Sequence, residues 1–187
     1  MSTWGVLRVS APGAARLAQH RRALSACLDG LVAVPASARV SASPATLGAR
    51  SGFRGMLGAL VTGLSSVPRG VERIAFLDER VLDSLGVEPV LDMISWLDDD
   101  HAAVVRAVPV TDALKRVEGS SVIGGVERAG LYVPQPPHII RREALDAALG
   151  GAQVPAAADP AGLLVAAGHA VRVVRDAGPP FTLVAAR

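Results

Sequence analysis

Short apolar runs recur along this chain with room for one helix between successive members, and no other feature restricts its fold so tightly. Residues 5–9 (GVLRV), 31–35 (LVAVP), 73–77 (RIAFL), 104–110 (VVRAVPV) and 171–174 (VRVV) read as strands, with 181–184 as a possible further one. Between them, 14–28, 51–67, 81–97, 141–149 and 161–167 carry helical spacing of apolar residues. Gly30 stands where the first helix would stop, Pro89 stands at a start or a kink, and Pro136-Pro137 is expected to break the chain. The glycines of 51–67 weaken helix propensity, which close packing on a sheet would offset. Strands apolar on both faces and alternating with helices imply an α/β domain of three layers with a mostly parallel sheet. In such sheets ligands bind beyond the carboxyl ends of the strands. That rule puts Pro12-Gly13, residues 78–80 and residues 111–115 on one rim.

The 187 residues fit a single domain, 1–187, and half of them are hydrophobic, against disorder. Aromatics are only 3%, so Val, Leu, Ile and Ala must build the core. A net charge of +2 without a basic, aromatic-interleaved block argues against nucleic acid as a partner. One cysteine, Cys27, excludes an intrachain disulfide and suits a reducing compartment. Arg8 and Pro12 interrupt the only early apolar run, and no run reaches membrane-spanning length, so a cytoplasmic location is expected. Asp98-Asp99-Asp100 reads as a solvated turn rather than a metal site, because adjacent side chains point apart. His20, His101, His138 and His169 lack ligand spacing and are expected at the surface; no metal site is expected.

The stretch 104–135 carries the most specific signal. A strand runs into Pro109-Val110-Thr111-Asp112-Ala113-Leu114-Lys115, a turn follows at Glu118-Gly119-Ser120-Ser121, then Glu127-Arg128, then Pro134-Gln135. This order resembles the 2-C-methyl-D-erythritol 4-phosphate cytidylyltransferase family, with its P-V-x-D-T-[IM]-K cluster, V-D-R and T-P-Q. The likeness holds from about residue 73 to 174 and is poor before that.

The resemblance implies a Rossmann-like nucleotidyltransferase domain with an extended β-arm, here about residues 117–134, that interlocks two subunits. The arm's alternating Val122, Gly124 and Val126 suit a strand pair whose apolar side needs a partner, so a homodimer is expected. It further implies transfer from CTP to a sugar-alcohol phosphate, with Mg²⁺ on the triphosphate. Gly13, Arg16 and Asp78 would face the nucleotide; Thr111, Asp112, Lys115 and Arg128 would face the acceptor phosphate; Arg16 and Lys115 are the candidate catalytic cations. Arg21 is a further candidate cation.

This chain departs from the pattern where glycines let backbone amides approach phosphate. The loop A-A-G-x-G-x-R reads Ser10-Ala11-Pro12-Gly13-Ala14-Ala15-Arg16, so Pro12 removes an amide donor. The P-K-Q lysine is missing, since Lys115 is the only lysine. D-A-A-R-P shortens to Asp78-Glu79-Arg80-Val81, and residues 52–64 only loosely echo the G-G-x-x-R nucleotide motif. Ala113 and Val133 replace threonines, 158–161 echoes T-D-[DE]-A without its threonine, and 181–184 lacks the lysine of I-K-[VI]-T. Ordinary readings stand beside the functional ones: Asp112 as a turn cap, Lys115 as an exposed charge, Glu127-Arg128 as a surface pair.

Losing one electrostatic group typically costs ~10²–10³ in rate, and such losses compound. The expectation is therefore a degenerate homologue that acts by binding, with an active cytidylyltransferase as one conceivable partner. The alternative is a living nucleotidyltransferase with an altered phosphate loop. A dehydrogenase reading fails because residues 10–16 lack G-x-G-x-x-G.

Overall fold

A computed structural model describes residues 1–10, 13–36, 55–151, 159–175 and 181–184. Seven strands form one sheet: β1 (Thr3–Val9), β2 (Gly30–Pro35), β3 (Arg73–Asp78), β4 (Ala103–Pro109), β7 (Tyr132–Arg141), β8 (Val171–Arg175) and β9 (Phe181–Leu183). Their spatial order is β2-β1-β3-β7-β4-β8-β9. β2, β1, β3, β4 and β8 run one way, while β7 and β9 oppose them. The sheet is thus mixed and mostly parallel. A separate hairpin of β5 (Lys115–Glu118) and β6 (Ser121–Gly125) extends from the end of β4.

Period-two alternation divides each central strand between two cores. Val6, Ile74, Phe76, Val105 and Ile140 point toward α2 (Gly55–Leu64), α5 (Arg142–Gly150) and α6 (Pro160–Ala166). Leu7, Ala75, Leu77, Val104 and Ile139 point toward α1 (Ala14–Leu24), α3 (Glu79–Leu85) and α4 (Glu88–Ser95). The three layers expected from the strand rhythm are present. Of the glycines in α2, Gly63 serves close approach: a Cβ there would run into Val6 and meet Val34 Cγ2 at 3.1 Å.

Three local expectations need correction. The segment 81–97 is two helices, because Gly86 ends α3 at φ 75° and Pro89 begins the next turn. α1 stops at Leu24, short of residue 28, and Gly30 opens β2 against the Trp4 ring, where a Cβ would approach within 2.6 Å. Pro136-Pro137 does not break the chain but lies inside β7, with a cis bond between them. Pairing jumps there from Val105↔His138 to Arg106↔Gln135. The prolines fill this irregularity, where no ladder amide is required.

His138, expected at the surface, is fully buried between β3 and β4, edge-on to Phe76 at 6.0 Å. Its side chain points into the core because its register partners Phe76 and Val105 do. His20 is also buried, and the His101 ring bridges Asp98 Oδ1 at 2.6 Å and Thr182 Oγ1 at 2.9 Å. That hydrogen bond holds the Asp98 carboxyl below its ordinary range. Asp98 also pairs with Arg172 and Asp99 with Arg141, so the acidic turn pins two strands.

Candidate functional site

The carboxyl ends of β1, β3, β4 and β8 share one edge, as the parallel arrangement requires. Because β7 is inserted between β3 and β4, the candidate residues gather in two groups along this rim.

The first group lies beyond β1 and β3. Gly13 is the residue before α1, with open space where a Cβ would stand. Ala11 and Pro12, whose backbone matters most to the loop argument, lie outside the described residues, as do 52–54 and Ala158. Asp78 is buried at the end of β3. Its Oδ2 accepts from Arg8 Nε at 2.6 Å, and its Oδ1 caps α3 by accepting from Arg80 N–H at 3.0 Å. Arg16 projects from α1 onto α3, where its guanidinium pairs with Asp83 and stands 3.6 Å from Glu79 Oε1. Glu79 Oε2 accepts the Ser10 amide at 3.0 Å, and His20 Nε2 lies 3.4 Å from Asp83 Oδ1. Arg21, in the last turn of α1, is exposed.

Arg8, Asp83 and His20 were not singled out as site residues from sequence, and Glu79 only as part of the rim segment 78–80. Arg8 carries a signal, since a charged residue inside an otherwise mostly buried strand calls for a charged partner, here Asp78. Asp83 and His20 carry none until α1 and α3 are packed side by side.

The second group lies beyond β4. Thr111, Asp112 and Lys115 are exposed where the chain leaves the sheet for the hairpin. Arg128 Nη1 donates to the Thr111 carbonyl, Val126 N–H donates to Leu114 O at 3.0 Å, and Val110 N–H donates to Leu131 O at 3.0 Å. These bonds fold the two limbs of the arm against each other, so Thr111, Lys115 and Arg128 share the arm's base. Arg106 on β4 reaches Gln135 Oε1 at 3.4 Å, and Arg175 donates to the Tyr132 hydroxyl at 2.9 Å with its guanidinium 5.6 Å from that ring. Asp159 accepts from Gly162 N–H at 3.0 Å and caps α6.

Chemically, the second group offers exposed cations to an anion, whereas the first presents three carboxylates to two guanidiniums. Among the described residues, no cluster of three His, Cys, Asp or Glu is arranged to hold a metal ion.

A family model described as IspD: 2-C-methyl-D-erythritol 4-phosphate cytidylyltransferase matches residues 64–182. That span begins after β2, so it takes in the second group and omits the loop after β1. Over 121 residues the chain is 31% identical to the 2-C-methyl-D-erythritol 4-phosphate cytidylyltransferase of Carboxydothermus hydrogenoformans, covering 60% of this chain and 52% of that protein. Over 117 residues it is 46% identical to the enzyme of the same name from Cereibacter sphaeroides, covering 59% and 51%. The chain thus spans about half the length of these curated relatives. Its fold matches the crystal structure of Francisella tularensis 2-C-methyl-D-erythritol 4-phosphate cytidylyltransferase with a TM-score of 0.62 at 14% identity, over 94% of this chain and 90% of that one. With its motif order, its family match and its mixed sheet with a projecting hairpin in agreement, the chain belongs to the IspD, or 2-C-methyl-D-erythritol 4-phosphate cytidylyltransferase, family.

Proposed function

We propose that this chain is a cytoplasmic nucleotidyltransferase that joins CTP to a sugar-alcohol phosphate. A phosphate oxygen of the acceptor attacks the α-phosphorus of CTP, a new diphosphate bond forms, and pyrophosphate leaves with the electron pair of the broken bond. The observation that carries this reading is the gathering of Thr111, Lys115 and Arg128 at the base of the arm, with Asp112 exposed beside them in the chain. Lys115 and Arg128 would hold the acceptor phosphate, and Lys115 would also offset charge developing in transfer. Mg²⁺ would arrive on the triphosphate, neutralising part of its charge beside a rim rich in carboxylates.

The hairpin supports a homodimer. It leaves Val117, Val122 and Ile123 more than half exposed, apolar surface a second copy would cover. Light scattering should give twice the chain mass at micromolar concentration; a monomer mass would exclude this assembly.

A second reading rests on a specific observation. Arg16, the loop's remaining cation, is already engaged by Glu79 and Asp83. On that reading the chain binds a ligand or an active cytidylyltransferase without transfer. Calorimetry with CTP and Mg²⁺, followed by a pyrophosphate-release assay with methylerythritol phosphate, separates the two. Binding with release supports transfer, binding without release supports the second reading, and absence of both excludes nucleotide as the ligand.

A further inference from the structure

The Glu79 carboxylate occupies an unusual place. Its side chain is only 6% exposed, yet it lies on the rim where the loop after β1 meets α1. Both oxygens are engaged: Oε2 accepts the Ser10 backbone amide at 3.0 Å, and Oε1 stands 3.6 Å from Arg16 Nε. A loop amide and a guanidinium are the two kinds of donor that a phosphate oxygen takes at such a rim. Burying a carboxylate is expensive unless donors compensate it. Glu79 therefore holds these donors as firmly as they hold it. Asp83 takes the other end of the Arg16 guanidinium, and Asp78 takes Arg8.

From this we infer that Glu79 is an internal phosphate surrogate that sets which anions the rim accepts. The inference rests on the nucleotidyltransferase reading of the rim and deepens it. A polyphosphate entering here must displace Glu79 from Ser10 and Arg16, and until it does it meets three carboxylates facing two guanidiniums. Substituting Glu79 removes that competitor: Glu79→Ala frees the Ser10 amide and the Arg16 Nε, while the other end of Arg16 stays on Asp83. Glu79→Gln removes the charge at nearly constant shape, so the Ser10 amide keeps an acceptor while Arg16 loses one of its two carboxylate partners.

The test is calorimetric titration of the full chain with inorganic tripolyphosphate, for wild type, Glu79→Gln, Glu79→Ala and Glu79→Ala/Arg16→Ala. Both single variants should bind at least about 10-fold tighter than wild type, the size of effect expected for an unmade charge contact. The double variant should lose that gain, which a change in folding alone would not produce. Should Glu79→Ala fail to fold, Glu79→Gln decides. Equal or weaker binding by a folded single variant overturns the inference, as does absence of binding in every variant. Unfolding of both single variants would make Glu79 a residue of the fold and overturn it equally. Pyrophosphate release is measured separately on the same proteins. A gain in tripolyphosphate binding without release leaves this inference standing and removes the transfer reading; release without the gain does the reverse.

Discussion

His138 sits at the centre of the sheet with Phe76 and Val105 as its neighbours across the ladder. Burial pushes its imidazole down to about 3, offset only partly by the Gln135 backbone, and neither ring nitrogen completes a hydrogen bond with the described residues. A histidine depressed in the fold binds its proton better in the unfolded chain. Its contribution is therefore fully present above the unfolded value near 6.5, and it fades as pH falls from there toward about 3. Between pH 7 and pH 5 this one group should remove about 2 kcal/mol. Urea titrations of wild type and His138→Leu at both pH values check it: from pH 7 to pH 5 wild type should lose about 2 kcal/mol more than the variant, and parallel losses would refute the assignment. A second residue prediction concerns Gly63, where an added methyl meets Val6 and Val34. Gly63→Ala should cost about 1–3 kcal/mol by overpacking, against the usual gain of Ala over Gly in a helix, and the same urea titrations would show it.

The arm is the element whose behaviour follows least from its own contacts. β5 and β6 pair with each other, turning at Gly119 with φ 57°, and every residue in both strands is exposed. An isolated two-stranded hairpin is marginal in water, so apolar side chains on it call for a partner. Val122→Asp should convert the proposed dimer to a monomer in light scattering while leaving the protomer's circular dichroism unchanged; an unaltered dimer mass would place the interface elsewhere. The hairpin was anticipated from its Glu-Gly-Ser-Ser turn and the resemblance's arm, about 117–134, but its strands span 115–125, and Val126 lies beyond them. β7 was not, because a proline pair in a central strand is allowed only where the ladder slips, and a slip leaves no local signature. α3 and α4 merged in the sequence reading because their apolar positions keep helical phase across the Gly86 interruption.

At the scale of the molecule, strand rhythm was enough to give three layers and a candidate rim, since alternating buried strands and helices have few other solutions. The rim's two halves were unequally legible. The candidate acceptor residues fall within 111–128, so their proximity is partly local. In the first group, Arg16 pairs with Asp83 across 67 positions and the Ser10 amide meets Glu79 across 69, and only the packing of α1 beside α3 reveals these contacts. The central claim, that this rim transfers a nucleotidyl group, is met most directly by pyrophosphate release from CTP and methylerythritol phosphate with Mg²⁺, in wild type and Lys115→Ala. The account predicts release that needs both substrates and falls ~10²–10³-fold in the variant. Release absent from wild type, or undiminished in Lys115→Ala, would contradict it.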